Sequence, residues 1–193
     1  MNSSAQIILA SASPRRSALL QQIGIDHCIQ AVDIDETPHP RESATHYVQR
    51  VAAEKSLACQ TAFNPGLPVL AADTSVICDG DIIGKPENLE HAIAILERLS
   101  GRTHQVFSAV SLRGDQHWQA LSISEVSFNT LNRETIMAYW QTGEPQDKAG
   151  AYAIQGFAST FIRHINGSFS GIMGLPLFET AQLLARQGIK VIV

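Results

Sequence analysis

"LPVLAADTSVICDGDIIGKP", residues 67–86, predicts a buried strand, a two-residue turn at Asp79-Gly80 and a returning strand. Counting outward from that turn pairs residue 78 with 81, 76 with 83 and 74 with 85. Aspartate is unfavourable inside a strand, and a buried carboxylate is costly unless it is paired or bound to a metal. Two interpretations of Asp73 follow. Either it forms a structural ion pair with the neighbouring Lys85, or its carboxylate binds a metal or transfers a proton.

Strands and helices alternate on both sides of this stretch, which predicts an α/β fold with a mixed sheet and flanking helices in one domain, 1–193. Before it we expect a strand at 7–11, a helix at 14–23, a strand at 26–36 and a helix from Ser43 to about Thr61. After it we expect a helix at 88–99, antiparallel strands in 103–114 and 117–131, and a helix at 132–142. A loop that contains several glycines follows at 143–156. The chain then forms a hairpin within 157–176 with its turn at Asn166-Gly167, a helix at 175–187 and a strand at 189–193.

The composition indicates a soluble globular protein and excludes several classes of function. Of the 193 residues 45% are hydrophobic and 17% charged, and the formal net charge is −4. This balance argues against a nucleic-acid binder with a broad basic surface, although it allows a small basic pocket for an anion. The three cysteines and seven histidines lack metal-ligand spacing, which argues against zinc and favours a reducing compartment. Because no apolar run is long enough to span a membrane and no signal peptide is evident, we expect a cytoplasmic protein with no membrane partner.

The helix predicted at 14–23 begins with two cations where the helix dipole favours anions. Ser13 and Pro14 suit the start of a helix, but Arg15 and Arg16 follow at its positive end. Unpaired backbone N–H groups, two guanidinium groups and the Ser11 hydroxyl would together bind a phosphate. In the alternative interpretation, Ser13 only caps the helix and both arginines are solvated.

Further charged residues fit the same chemistry. Lys55 falls on the apolar stripe of its helix, so it either extends past the edge of the core or points into a polar cleft. Glu36 would be a second acid, since two carboxylates and phosphate oxygens make a plausible Mg²⁺ site, or else an exposed turn residue. Lys148 adds a cation in a glycine-bearing loop. These cations and acids together predict metal-assisted phosphoryl transfer or hydrolysis. The sequence has no GxxxxGK[ST] or GxSxG motif, which argues against a P-loop enzyme and against a hydrolase with a GxSxG nucleophile.

Six segments resemble the Maf family of nucleoside triphosphate pyrophosphatases, in the family's order and over nearly the whole chain. They are "LASASPRRSALLQQIGI", "ESATHYVQRVAAEKS", "VLAADTSVICDGDIIGKP", "LSGRTHQVFSAV", "DKAGAYAIQG" and "GLPL". The resemblance implies a Maf/inosine-triphosphatase-like fold with two lobes around a central cleft. It also implies cytoplasmic cleavage of a nucleoside triphosphate to the monophosphate and pyrophosphate, with Mg²⁺ or Mn²⁺ as cofactor.

The resemblance also assigns roles to individual residues. Asp73 matches the proton acceptor for the attacking water, and Glu36 matches an acid that holds the metal together with Asp73. The positions that match phosphate contacts are Ser11, Arg15, Arg16, Lys55 and Lys85. The "DKAGAYAIQG" segment looks like the dTTP/UTP pyrophosphatase branch, in which the specificity positions match Arg15, Thr74 and Gln155. A glutamine amide offers a donor and an acceptor to a uracil or thymine edge.

Three alternatives remain open beside a dTTP/UTP pyrophosphatase that also cleaves modified pyrimidine triphosphates. One is a 7-methyl-GTP pyrophosphatase of the same family, in which a glutamate with acceptors only would suit guanine. Another is a non-enzymatic regulator of cell division, which the absence of a leftover apolar stripe disfavours. A third is a nucleotide sensor without turnover, disfavoured because both acids are present. The resemblance further leads us to expect a homodimer that binds a nucleoside triphosphate and no nucleic acid.

Overall fold

The computed structural model describes residues 5–63 and 66–191 and contains a mixed sheet flanked by helices. The strands are β1 (Ile7–Leu9), β2 (His27–Ile29), β3 (Val69–Cys78), β4 (Asp81–Ile83), β5 (Thr103–Arg113), β6 (His117–Phe128) and β7 (Ile162–Asn166). The helices are α1 (Pro14–Gln22), α2 (Ala44–Phe63), α3 (Leu89–Leu99), α4 (Arg133–Gln141), α5 (Phe169–Met173) and α6 (Leu177–Arg186), with 3₁₀ turns at Ala149–Ala151 and Phe157–Thr160.

Strand β3 lies at the centre of the sheet and changes its neighbour along its length. The sheet order is β2-β1-β3-β5-β6-β7, and β4 pairs with β3 outside this path. On one side β3 pairs with β5 from Val69 to Ile77. On the other side it pairs with parallel β1 at Val69 and Leu70 and with antiparallel β4 from Val76 to Cys78. Among the described residues, no strand pairs with 71–75 on that second side, so the sheet opens there.

The side chains of β3 alternate between its two faces, and helices cover both. Leu70 and Ala72 pack with apolar residues of α1 and α6. Val69 and Ala71 face the other way and pack with Cys59 of α2. Toward its end, Val76 and Cys78 join a separate apolar cluster with α3 and α4. Burial on both faces explains why this strand is nearly continuously apolar. The predicted mixed α/β fold is confirmed, and separate apolar clusters lie toward the two ends of β3.

Most predicted elements are present, and the register around Asp79-Gly80 is confirmed. Cys78 pairs with Asp81 and Val76 with Ile83. The expected pairing of 74 with 85 is wrong because β4 ends at Ile83. The strand predicted at 26–36 is also shorter, covering only His27–Ile29. No strand forms at 189–191, and residues 192 and 193 lie outside the described part of the chain.

The hairpin predicted within 157–176 is wrong in its second arm. Strand β7 ends at Asn166, and the chain then forms the short helix α5. Ser168 caps this helix, since its Oγ accepts a hydrogen bond of 3.0 Å from the Gly171 N–H. The Ser168 N–H in turn donates to Ser124 Oγ at 2.9 Å. A capping serine directly after the Asn-Gly pair therefore outweighs the tendency of that pair to form a hairpin.

Within residues 5–63 and 66–191, no helix is both long and apolar enough to span a bilayer.

Candidate active site

A cavity of about 840 Å³ lies where β3 changes its neighbouring strand. Its lining comes from the start of α1, the segment at 31–36, helix α2, the middle of β3, the end of β4, strand β5, the loop at 147–155 and the end of α5. All of the site residues predicted from sequence line it, namely Ser11, Arg15, Arg16, Glu36, Lys55, Asp73, Thr74, Lys85, Lys148 and Gln155. Asp73 and Thr74 point to opposite faces of β3, and both reach the cavity because no strand covers this side.

Lys55 connects the two carboxylates of the site. Its Nζ lies 3.0 Å from Asp73 Oδ1 and 2.8 Å from Glu36 Oε1. The Lys55 and Asp73 side chains are only 12% and 8% exposed, whereas that of Glu36 is 47% exposed. Lys55 reaches Asp73 because α2 packs on the face of β3 to which Asp73 points. Lys55 thus points into the polar cleft, and the interpretation in which it extends past the core edge is wrong.

The ion-pair partner of Asp73 is Lys55 rather than Lys85. Because β4 ends at Ile83, Lys85 lies beyond the ladder and is exposed at the cavity rim. The predicted structural pair between Asp73 and Lys85 therefore does not form. Lys85 instead remains a rim cation that faces the same cavity as Asp73.

Arg16 is anchored by two hydrogen bonds that fix its guanidinium. Its Nε donates to the Gly174 carbonyl at 2.8 Å, and its Nη1 donates to Ser11 Oγ at 3.1 Å. A guanidinium has five N–H groups, so three remain for a ligand. Burial lowers the pKa of Arg16, and the nearby Asp73 and Glu36 carboxylates oppose that effect. The side chain remains a cation at neutral pH because an arginine is not deprotonated in proteins.

Arg15 is held in a similar way, with Nε donating to the Met173 carbonyl at 3.4 Å. Burial lowers its pKa as well. Both arginines therefore bind backbone carbonyls at the end of α5 through Nε, which leaves Nη groups for an anion. The interpretation in which both arginines are solvated surface groups is wrong.

The Ser11 hydroxyl is arranged as a donor to the cavity. Its Oγ accepts hydrogen bonds from the Ser13 N–H at 3.2 Å and from Arg16 Nη1 at 3.1 Å. With both lone pairs occupied, its own O–H remains to donate. Ser13 stands at the N-cap of α1, but among the described residues its side chain makes no capping hydrogen bond. Ser13 therefore occupies the predicted N-cap position, and its carbonyl accepts from the Ser17 N–H at 3.3 Å, without the side-chain hydrogen bond of a capping serine.

Thr74 contacts β5 directly across the ladder. It is in register with Ser108, and the two hydroxyl oxygens are 2.9 Å apart. Ser108 Oγ also donates to the Gly171 carbonyl at 2.6 Å. The α5 segment therefore contacts Thr74 through Ser108, as it contacts both arginines directly.

Gln155 and Lys148 belong to the loop on the opposite side of the cavity. Gln155 is exposed at the rim, and a half-buried acid holds the turn that follows it. The Glu144 carboxylate accepts hydrogen bonds from the backbone N–H groups of Phe157 at 2.7 Å and Ala158 at 3.1 Å. The pKa of Lys148 is lowered by burial and then by the Arg15 charge.

The cavity is more positive than the protein as a whole. Its charged lining comprises five cations, which are Arg15, Arg16, Lys55, Lys85 and Lys148, and three acids, which are Glu36, Asp73 and Asp147. The chain itself has a formal net charge of −4. A cation-rich cavity with low-dielectric walls attracts anions and strengthens their binding. Such a site can hold a polyphosphate and place it beside a carboxylate.

The residues present fit a divalent cation supplied with the substrate rather than a metal held by the protein alone. Glu36 and Asp73 both contact Lys55 Nζ, so their carboxylates are neighbours. The described residues include no cluster of three or more His, Cys, Asp or Glu side chains. Mg²⁺ commonly binds through one or two carboxylates, substrate phosphates and water, which matches this donor set.

Sequence analysis did not identify three residues that lie next to the predicted site residues or hydrogen bond to them or to the adjacent backbone. Tyr47 lines the cavity beside the acids, and burial, followed by the charges of Asp73 and Glu36, raises its pKa to about 12. Ser108 hydrogen bonds to Thr74, and Glu144 hydrogen bonds to the backbone just after Gln155. Tyr47 could have been found, since it lies eight residues before Lys55 on the same helix face. Nothing in the local pattern distinguishes Ser108 or Glu144.

Comparison with known proteins gives a consistent family. A family model described as "Maf-like protein" matches residues 6–187. The chain is 55% identical to a dTTP/UTP pyrophosphatase of Methylococcus capsulatus, over 95% of this chain and 92% of the relative. It is 47% identical to a nucleoside triphosphate pyrophosphatase of Haemophilus ducreyi, over 97% and 98%.

Similarity to solved structures is weaker. A nucleoside-triphosphatase, dITP/XTP pyrophosphatase, from Mycobacterium abscessus matches with 16% identity and a TM-score of 0.46, over 93% of this chain and 94% of that one. A likeness at that score carries no argument about function. The family model and the relatives are sufficient by themselves: the chain belongs to the Maf family.

Proposed function

We propose that the protein hydrolyses dTTP and UTP, and modified pyrimidine nucleoside triphosphates, to the nucleoside monophosphate and pyrophosphate. The observation that carries this proposal is the pair of carboxylates, Asp73 and Glu36, joined by Lys55 in a cation-rich cavity. Relatives about 50% identical over nearly the whole chain are named dTTP/UTP pyrophosphatases, which supports the same substrate class here.

Asp73 is the proton acceptor in the proposed reaction. A water molecule attacks phosphorus, the anhydride bond between the α- and β-phosphates breaks, and the proton of the water passes to the Asp73 carboxylate. Lys55 occupies Asp73 Oδ1, which leaves Oδ2 as the oxygen that receives the proton. Arg15, Arg16, Lys85 and Lys148 line the cavity around the phosphates and neutralise the charge that develops on them.

Glu36 and Asp73 would hold a divalent metal, Mg²⁺ or Mn²⁺, together with the phosphate oxygens. When bound, such an ion neutralises phosphate charge and polarises the phosphoryl oxygens. Lys55 keeps the two carboxylates together before substrate enters.

The base is recognised by Thr74 and Gln155, which both line the cavity. The Gln155 side chain is exposed at the rim and free to present both its amide donor and its acceptor to a base edge. A pyrimidine with two carbonyl groups and an N–H between them suits this mixture of donors and acceptors. The cytoplasmic location, the homodimer and the absence of a nucleic-acid or membrane partner stay predictions.

The proposal is tested by measuring pyrophosphate release from dTTP, UTP, CTP, GTP and 7-methyl-GTP with Mg²⁺ or Mn²⁺. We expect the highest kcat/KM for dTTP and UTP. A preference for 7-methyl-GTP would contradict the proposed substrate.

Replacing the proton acceptor tests the mechanism. Asp73→Asn should lower kcat by at least about 100-fold, the usual range for loss of general-base catalysis, and leave substrate binding largely intact. The matched control is Asp115→Asn in the exposed turn between β5 and β6, which should behave as wild type. Full turnover by the Asp73 variant would remove Asp73 from the proposed role.

A further inference from the structure

The buried Ser108 and the half-buried Thr74 form a hydroxyl pair that the reaction itself does not require. Ser108 is 1% exposed on β5 and lies directly across from Thr74 on β3. Their hydroxyl oxygens are 2.9 Å apart. Thr74 also lines the cavity, whereas Ser108 does not, so Ser108 lies behind Thr74 as seen from the cavity.

The position of every hydroxyl hydrogen in this pair follows from its neighbours. Ser108 Oγ lies 2.6 Å from the Gly171 carbonyl oxygen, and a carbonyl oxygen can only accept. The single Ser108 hydrogen is therefore committed to Gly171. In the contact with Thr74, Ser108 can then only accept, and Thr74 must donate.

Thr74 consequently has no hydrogen left to donate into the cavity and can offer only a lone pair. Gln155 and the Arg15 guanidinium, which line the same cavity, supply donors. One acceptor together with these donors is complementary to the imide edge of uracil or thymine, which has two carbonyl groups around one N–H. Cytosine has an acceptor, N3, at that central position and would leave the Thr74 lone pair facing another lone pair.

We propose that Ser108 is a positioning residue for substrate specificity, which fixes Thr74 as the acceptor for the N3–H of a uracil or thymine base. This inference rests on the proposed function, since it concerns the base of that substrate. A threonine hydroxyl can in general donate or accept a hydrogen bond. Because Ser108 fixes its direction, the Thr74 hydroxyl discriminates between pyrimidines. The Gly171 carbonyl at α5 is the group that ultimately sets the direction of both hydrogen bonds.

The test compares kcat/KM for UTP and CTP in wild type, Ser108→Ala and Ser108→Thr. In Ser108→Ala the Thr74 hydroxyl is free to rotate and donate, so the UTP/CTP ratio should fall about five- to tenfold, the effect of one neutral hydrogen bond. The change should appear mainly in KM. Ser108→Thr retains the hydroxyl and should retain the ratio.

Ser111→Ala is the matched control for the loss of a buried serine hydroxyl from the same strand. Ser111 is fully buried and its hydroxyl bonds to Ser56 Oγ at 2.8 Å, away from the cavity. This variant should lose stability and keep the UTP/CTP ratio of wild type. An unchanged ratio in Ser108→Ala, or an equal change in Ser111→Ala, overturns the inference.

A second measurement needs only the wild-type protein and so does not depend on the folding of any variant. N3-methyl-UTP lacks the N3–H and should show a KM at least about fivefold above that of UTP. Equal KM values overturn the role of Thr74 as acceptor. If the wild-type protein hydrolyses UTP but fails these tests, only this inference falls. If it hydrolyses neither UTP nor dTTP, the proposed function falls with it.

Discussion

At the scale of single residues, the most informative side chain is Lys55, because it compensates two carboxylates at once. Asp73 is buried and Glu36 is half-exposed, and Lys55 Nζ is within 3.0 Å of both. Buried charges remain stable only when they are paired, and removal of one partner leaves the others uncompensated. Lys55 therefore contributes to folding as well as to the proposed binding of phosphate.

We expect Lys55→Met to lower both activity and stability. The variant removes the direct ion-pair partner of Asp73 and leaves it beside a second acid, so the free energy of unfolding should fall by about 1–3 kcal/mol, less than for a fully buried pair because Arg16 lies nearby and Glu36 is solvated. The kcat/KM should fall at least about 100-fold. Urea denaturation and steady-state kinetics measure the two effects.

The double variant Lys55→Met/Asp73→Asn separates these two contributions. Removing both charges should restore much of the lost stability and none of the activity. Lys190→Met, an exposed lysine near the C-terminus, is the control and should leave both quantities unchanged. Wild-type stability in Lys55→Met would contradict this account of the carboxylate pair.

Residue spacing placed Lys55 on the inward face of its helix but left two interpretations of its side chain open, and it mispredicted the partner of Asp73. The apolar residues Val48, Val51 and Ala52 define one face of α2, and that face is sufficient to direct Lys55 toward the sheet. The ion-pair partner of Asp73 depends on where β4 ends. Counting residues outward from the Asp79-Gly80 turn gives the register of the two strands but not the end of β4. Strand ends are decided by packing with distant elements and are therefore poorly predicted from local pattern.

At the scale of elements, the short helix α5 organises the site through its backbone carbonyls. Gly171 accepts from Ser108, Met173 from Arg15 and Gly174 from Arg16. The arginines lie 158 residues before these carbonyls in the sequence. No local pattern can indicate contacts at such separation, which explains why sequence analysis found the arginines and missed what holds them.

Gly174→Ala tests this role of α5. Gly174 has a φ of +121°, a conformation that costs a residue with a Cβ roughly 1–3 kcal/mol. Relief of that strain should move the carbonyl that holds Arg16, so we expect a fall in kcat/KM of at least about tenfold. Thermal unfolding and steady-state kinetics provide the readouts.

Gly188→Ala is the matched control for backbone strain alone. Gly188 has a φ of +76° after α6, and a Cβ there would meet nothing within 4 Å. Both alanine variants should be destabilised, and only Gly174→Ala should lose activity. Equal kinetics in the two variants would show that α5 does not position the site.

At the scale of the whole molecule, the fold concentrates positive charge in a cavity within an acidic protein. The mixed sheet makes this possible because β3 passes from a parallel to an antiparallel neighbour and leaves 71–75 uncovered on one side. The alternation of strands and helices was sufficient to predict an α/β fold. The opening depends on which strands pair with β3, and in a mixed sheet that order is set by tertiary packing.

The stability of this fold should depend on a buried histidine that does not itself line the cavity. His104 on β5 is 3% exposed, packs edge-to-face on Phe128 and hydrogen bonds through Nε2 to the Tyr152 hydroxyl at 2.8 Å. Burial lowers the pKa of His104 to about 4. The unfolded chain, with an ordinary histidine pKa near 6.5, therefore binds a proton at a higher pH than the folded protein does.

This difference sets the direction and the range of the pH effect. The contribution of neutral His104 is fully present above about pH 6.5, is lost as the pH falls toward 4, and amounts to roughly 3 kcal/mol. Urea denaturation at intervals between pH 8 and pH 4 should show this decline. His104→Phe should flatten the decline of the free energy of unfolding, whatever the stability of this variant at pH 8. His164→Gln, which changes an exposed histidine, should leave the decline as in wild type. An NMR titration that placed the His104 pKa in the folded protein near 6.5 would contradict the prediction.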